Sequence, residues 1–343
     1  MPGALPLPPH VDLGRVGDVW RVDYEARFRD ATAWSVEHGL TPAARDRPSV
    51  CLLVVDAQNT FCTPGFELFV AGRTGTGALD DSRRLCAFVY HHLSLISQAV
   101  VTLDTHQVFQ IFHAPFLVDA GGQHPDPYTL VTVDDVATGR WQVDPTVAEL
   151  LALDRPNEHL ASYVQALATG GKYDLTVWPF HSMLGGIGHA LVSAVEEALF
   201  FHSLARKAQT RFEIKGLHPL TEHYSVLGPE VPVDGDPASG RNVALVEYLA
   251  RFDAILVAGQ AKSHCVAWTV DDLLADVPEL APRLYLLEDC TSPVVVAGVV
   301  DYSDDAHDAF ARFAEAGAHV VRSTDPVETW PGLLAEVAVA VRR

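Results

Sequence analysis

The stretch Ala254–Trp268, AILVAGQAKSHCVAW, constrains this chain more than any other. Five apolar residues within the six of Ala254–Gly259 predict a strand buried on both faces, the kind found in parallel sheets covered by helices. Gly259 breaks the strand, and a short polar turn delivers Cys265 to the start of an apolar-periodic run, Cys265–Leu274. A thiol at a helix N-terminus meets free N–H groups and the positive end of the helix dipole. Both favour thiolate over thiol, and the same N–H groups can hold an oxyanion. Taken alone, Cys265 fits a buried small hydrophobe as well as it fits a nucleophile.

Other runs repeat the buried-strand pattern. Ser49–Asp56 (SVCLLVVD) and Ala99–Asp104 (AVVTLD) each end in an acid. In open parallel sheets the ligand crevice lies outside the carboxyl ends of the strands, so Asp56 stands where a catalytic carboxylate belongs, with capping of the next turn as its alternative role. Tyr173–Trp178 predicts a third strand and Arg211–Gly216 a fourth, with Lys215 near its end. Arg283–Cys290 makes a sixth, and His319–Ser323 a further edge strand. Helices are expected at Tyr24–His38, Leu79–Ser97, Pro145–Leu153, Ala190–Leu204 and His307–Gly317. A lysine at the end of a buried strand is costly unless a carboxylate pairs with it, and Asp56 is the natural partner. Lys172 precedes its strand and so falls at the opposite edge of the sheet.

A metal site is also written into the strand ends. In Asp104-Thr105-His106 the first and third side chains share one side of an extended segment. A carboxylate and an imidazole so placed suit a divalent cation such as Zn, Fe or Mn, although the pair also fits a simple Asp–His hydrogen bond. His181 follows the third predicted strand, so that Asp104, His106 and His181 converge as three protein ligands, leaving room for water or substrate. The glycines of LGGIGH (184–189) fail the G-x-G-x-x-G spacing, which removes a dinucleotide site. They are expected instead to let the helix Ala190–Leu204 approach the sheet closely.

Composition narrows the remaining choices. Acidic residues exceed basic ones by 44 to 24, and the net charge of −20 argues against nucleic acid or an anionic membrane as partner. The five cysteines (51, 62, 86, 265, 290) are odd in number and lack a CxxC pair, so neither a disulfide framework nor a structural zinc knot is indicated. MPGALPLPPH lacks the basic start and apolar core of a signal peptide, and no uncharged apolar run is long enough for a bilayer. A cytoplasmic location is expected.

Strands and helices alternate without an obvious linker, which favours one enlarged α/β domain over 49–343. Residues 1–48 form an arm before it. Pro2, Pro6, Pro8 and Pro9 suggest an extended start, and Phe28, Trp34 and Val36 are expected to be partly buried. The arm covers the core or meets another subunit, and a homo-oligomer is expected. Residues 107–171 make a long, irregular insertion of the size that carries a lid or specificity element. His113 and His124 within it read as ordinary loop histidines.

Asp56, Lys215 and Cys265 thus point to one crevice. An acid, an ammonium and a thiol so grouped suit nucleophilic acyl transfer. At these residues the chain resembles the nicotinamidase/isochorismatase-like cysteine hydrolase superfamily. The matching segments are VVDAQNTFC (54–62), TLDTH (102–106), VWPFHS (177–182), EIKG with TEHYS (213–216, 221–225) and VAGQAKSHCV (257–266), in family order.

The resemblance implies a three-layer α/β/α fold around a six-stranded, mostly parallel sheet. It implies an Asp56–Lys215–Cys265 triad that hydrolyses a small amide through a thioester, releasing ammonia. It further implies a cis Gln260–Ala261 peptide, an oxyanion hole of the Ala261 and Cys265 N–H groups, and a pocket drawing on Phe61, Trp178, Tyr224, Gln260 and His264. The Asp104–His106–His181 set implies the metal-binding, nicotinamidase-like branch, with zinc, iron or manganese. Ser182 replaces the family's cysteine after the third ligand, the loop after His106 (QVFQIFHAPF) is rewritten, and the chain is longer than typical members. These departures bear on the substrate, which stays open between nicotinamide and another amide, carbamoyl, ureido or vinyl ether compound. A non-catalytic binding protein on the same fold is the further alternative.

Overall fold

The computed structural model describes residues 4–333. Pro2 of the extended start and the end of the 49–343 domain lie outside the described residues. Six strands form one parallel sheet: β1 (Val50–Val55), β2 (Gln98–Asp104), β3 (Arg211–Lys215), β4 (Ala254–Gly259), β5 (Leu284–Leu287) and β6 (His319–Val321). The spatial order is β3-β2-β1-β4-β5-β6. Chain order therefore reverses between β1 and β4, and in doubly wound sheets the ligand crevice opens at such a reversal. All six residues of β1 and of β4 are buried, which explains their unbroken apolar runs.

Five longer helices cover the faces: α1 (Tyr24–Glu37), α2 (Gly77–His91), α3 (Ser193–Arg206), α4 (Cys265–Asp276) and α5 (Ser303–Glu315). No helix among the described residues is long and apolar enough to cross a membrane. β1 and β4 run in register to their last residues, Val55 opposite Gly259. Gly259 has φ +113°, and a Cβ there would sit 1.9 Å from the Val55 carbonyl oxygen. Only glycine lets the two backbones close at the point where the crevice begins.

The N-terminal arm packs on its own chain. The Trp20 N–H donates to Ser193 Oγ, whose hydroxyl donates back to the Trp20 carbonyl, both at 2.9 Å. Trp34 is buried, whereas Phe28 is exposed and Val36 is 80% exposed.

Two other expectations need correction. The predicted third strand, Tyr173–Trp178, does not join the sheet. The free edge of β2 is taken by β3, and the segment spends its backbone groups on the insertion: Leu175–Thr176 pairs antiparallel with Leu130–Val131, and the Trp178 N–H donates to the Phe112 carbonyl. The sixth strand of the sheet is β6, at the opposite edge beside β5. The insertion itself is not irregular, for it holds the helices Val133–Ala137, Pro145–Leu150 and Pro156–Thr169 and a strand pair of Leu117–Val118 with Gln142–Val143. The glycine loop 184–189 does not serve helix–sheet packing. It lies on the segment after β1, with the Thr60 N–H donating to the Gly188 carbonyl and Glu67 filling the space a Gly188 side chain would take.

Candidate active site

The carboxyl ends of β1, β2, β3 and the start of α4 deliver one cluster. Asp104 and Lys215 are register partners across β2 and β3, so their side chains leave the sheet side by side. Lys215 Nζ donates to Asp104 Oδ1 at 2.7 Å and to the His223 carbonyl at 2.9 Å. It lies 3.0 Å from Asp56 Oδ2 and 3.5 Å from Cys265 Sγ. Asp56 turns through a left-handed φ of 45°, a conformation aspartate tolerates. Its Oδ1 accepts from the Thr102 hydroxyl and its N–H donates to Thr102 Oγ1, which fixes the carboxylate toward the sheet end. Gln58 fastens Asp104 in turn, taking the Asp104 N–H on Oε1 and donating to its carbonyl, each at 2.8 Å.

Burial raises the Asp56 carboxyl, an effect the Lys215 ammonium opposes. Lys215 loses hydration as well, yet its two carboxylate neighbours hold it charged, well above the usual lysine range. Burial also pushes the Cys265 thiol well up, with Lys215 pulling the other way. This departs from the expectation of a resting thiolate: the helix start alone does not outweigh desolvation. A thiol beside a carboxylate of raised basicity is instead a pair across which one proton can move.

Asp104, His106 and His181 offer ligand atoms that all lie within 4.8 Å of one another. His106 Nδ1 faces the Gly216 carbonyl at 3.1 Å, and His181 Nδ1 faces the Pro179 carbonyl at 2.8 Å. A carbonyl only accepts, so each ring proton sits on Nδ1 and each Nε2 lone pair points inward. Both Nε2 atoms face Asp104 Oδ2, at 2.7 Å and 3.5 Å. Burial keeps His181 neutral by lowering its pKa. Both Nε2 atoms and the Asp104 carboxylate thus converge on one point, an arrangement that fits a divalent cation. Gly216 makes room for it: at φ +86°, its Cβ would lie 2.8 Å from His106 Cε1 and 2.9 Å from Asp104 Oδ1.

Ala261 follows a cis Gln260–Ala261 peptide. Among the described residues, neither the Ala261 N–H nor the Cys265 N–H donates to any protein group. Both residues line one cleft together with Asp104, His106, Lys215 and His181.

Phe61, Trp178, Tyr224 and His264 line it too. Gln260 does not. Its side chain is held behind the turn, donating from Nε2 to Asp81 Oδ2 at 2.9 Å and accepting on Oε1 from the Ser292 N–H at 3.2 Å. Lys172 pairs with Glu230 at 3.2 Å, away from the triad.

Sequence reasoning missed Glu222 and His223 on the cleft wall. The two-residue alternation of Glu222 and Tyr224 in TEHYS was the available signal. It missed His113 as well, which is buried with its ring 5.9 Å from that of His106 and 6.1 Å from that of His181.

No protein-family model and no curated protein matches the chain. Solved structures do. The chain is similar to the yeast nicotinamidase Pnc1p (17% identity, 79% of this chain and 99% of that one, TM-score 0.50). It is similar to the same yeast enzyme bound to the inhibitor nicotinaldehyde (17% identity, 80% and 99%, TM-score 0.51). A nicotinamidase of Acinetobacter baumanii is 20% identical over 81% of this chain and 98% of that one, with a TM-score of 0.49. The yeast structures show that this chain has the three-layer fold of the isochorismatase-like hydrolases.

Proposed function

We propose that the protein is a metal-dependent cysteine amidohydrolase that cleaves the C–N bond of a small amide and releases ammonia. The observation that carries this reading is the Lys215 ammonium, set 3.0 Å from Asp56 Oδ2 and 3.5 Å from Cys265 Sγ at the reversal of the sheet. The likeness in fold to a nicotinamidase supports an amide as substrate. The convergence of Asp104, His106 and His181 supports metal dependence.

In this mechanism Asp56 takes the thiol proton as Cys265 Sγ attacks the amide carbon. Lys215 holds the negative charge as it passes from Asp56 to the sulfur. The unused N–H groups of Ala261 and Cys265 receive the carbonyl oxygen as it becomes an oxyanion. Asp56 passes the proton to the leaving nitrogen, the C–N bond breaks, and a thioester remains with ammonia as the first product. Asp56 then takes a proton from water, whose oxygen attacks the thioester carbon. The C–S bond breaks, the sulfur regains its proton, and a carboxylic acid leaves. Asp104, His106 and His181 would hold a divalent cation (zinc, iron or manganese), which when bound would supply a Lewis acid to the cleft. Phe61 and Trp178 exclude water from the cleft and flank the acyl group.

Ammonia release from nicotinamide and a panel of small amides tests the proposal, with Cys265→Ala as control. Loss of release by at least about 10³-fold in the variant is expected, since removing a nucleophile disables the whole triad. Release that survives the substitution overturns the mechanism.

A further inference from the structure

Glu222 is the buried carboxyl that the proposed mechanism leaves unused. It is 6% exposed and lines the same cleft as Cys265 and Lys215. Among the described residues no lysine, arginine or histidine pairs with it: Lys215 is engaged by Asp56 and Asp104, and Lys172 by Glu230. Tyr224 and Trp178 reach its carboxyl with hydrogen bonds, and Trp178 Nε1 also donates to the Tyr224 hydroxyl at 3.2 Å. Those donors satisfy lone pairs without supplying positive charge. Burial first, and then the negative charge of Glu230 and Asp104, push the Glu222 carboxyl well above its usual range, so that it holds a proton that a cation beside it would displace.

The surrounding wall is aromatic. The His264 ring lies 5.0 Å from Tyr224 and 5.7 Å from Trp178, and His264 Nε2 is buried with no partner. Aromatic rings beside a buried carboxyl form an environment in which proteins bind organic cations. A neutral apolar group in the same place would cover Glu222 without giving it a donor. The segment that carries Glu222 also passes directly beside the ammonium, because the next residue's carbonyl accepts from Lys215 Nζ at 2.9 Å. Glu222 and Cys265 line the same cleft, so one small molecule can meet both.

Resting on the amidohydrolase reading, we infer that Glu222, with the rings of Trp178, Tyr224 and His264, selects a small amide whose acyl part carries a protonated amine. Glu222 is a specificity residue in this account, touching the amine while the triad works on the amide.

3-Aminopropanamide and butanamide have nearly the same shape and differ in the terminal group. The expected kcat/KM for the amine is at least about tenfold higher, the worth of one hydrogen bond to a charged group. In Glu222→Leu that ratio falls to about one, and the near-isosteric Glu222→Gln, which keeps an acceptor and guards against misfolding, loses most of it. Calorimetric binding of both compounds to Cys265→Ala repeats the comparison without turnover. Absence of hydrolysis therefore strikes the amidohydrolase reading, while the binding ratio tests Glu222 by itself. The inference is overturned if 3-aminopropanamide does not bind, if the two compounds bind equally, or if the preference survives in Cys265→Ala/Glu222→Leu.

Discussion

Asp104 and Lys215, opposite each other on β2 and β3, join two sites through one carboxylate. Oδ1 accepts from Lys215 Nζ at 2.7 Å, while Oδ2 faces the Nε2 atoms of His106 and His181. The proposed metal and the proposed triad are therefore coupled through a single side chain. Asp104→Asn removes the negative charge of the ligand and turns one acceptor oxygen into a donor. Loss of an outer-shell partner alone costs 10–100-fold in metal affinity, so loss of this ligand is expected to exceed about 100-fold. Competition with a chromophoric zinc chelator measures it, and unchanged affinity would remove Asp104 from the set.

Lys215→Met leaves Asp56 and Asp104 buried and facing each other with no cation between them. Breaking a buried pair from one side costs about 3–5 kcal/mol. Urea denaturation at pH 7 should show a drop of that order, and lowering the pH should recover part of it by neutralising the carboxyls.

Gly216→Ala tests the packing beneath the ligand set. The new methyl meets His106 and Asp104 under 3.0 Å, at a φ of +86° that L residues rarely adopt. The backbone term alone is about 1–3 kcal/mol, and zinc affinity should fall together with the melting temperature. A stable variant with unchanged zinc affinity would show that the set does not depend on this contact.

Acid should destabilise the protein well above the carboxylate range. His202 is fully buried, and burial, the larger effect, lowers its pKa from 6.5 to about 4. Its Nε2 faces the Ile96 carbonyl at 2.9 Å, while Nδ1 has no partner. The folded state holds this ring neutral. Its contribution is present above pH 6.5 and lost as pH falls toward 4, a change of about 3 kcal/mol at 1.36 kcal/mol per unit. His10 and His92, also lowered to about 4 by burial, act in the same window. His202→Gln, which keeps an N–H and cannot titrate, should flatten the pH dependence of the urea midpoint between pH 6.5 and 4.5.

The strand-end chemistry was legible because each key residue terminates a run that could be nothing but a buried strand. SVCLLVVD, AVVTLD and AILVAG announce their own ends, and the crevice of a parallel sheet lies at those ends. Lys215 announced itself differently: β3 alternates half-buried and exposed residues as an edge strand before the buried Lys215, and a lysine at its end needed a carboxylate. What stayed hidden depended on partners far away in sequence. Tyr173–Trp178 has strand-like residues, yet the place beside β2 was already filled by β3. Gln260 stood in the right motif, but Asp81 of α2 draws its amide behind the turn. Glu222 reads as one more loop acid until Trp178, Tyr224 and His264 close around it. The lowered reactivity of a buried thiol was hidden too, because dipole and desolvation oppose each other and only the burial of Cys265 decides between them.

The role of Asp56 toward Cys265 is tested most directly by alkylation with iodoacetamide, a small amide suited to the cleft, at pH 7 with peptide mapping. In the native protein Cys265 should react ahead of Cys51, Cys62, Cys86 and Cys290, all of them 0–1% exposed outside the cleft. In Asp56→Asn its rate should fall by about 100-fold or more, the contribution of a positioned general base. Equal rates in the two proteins, or a Cys265 no faster than Cys290, would contradict the account.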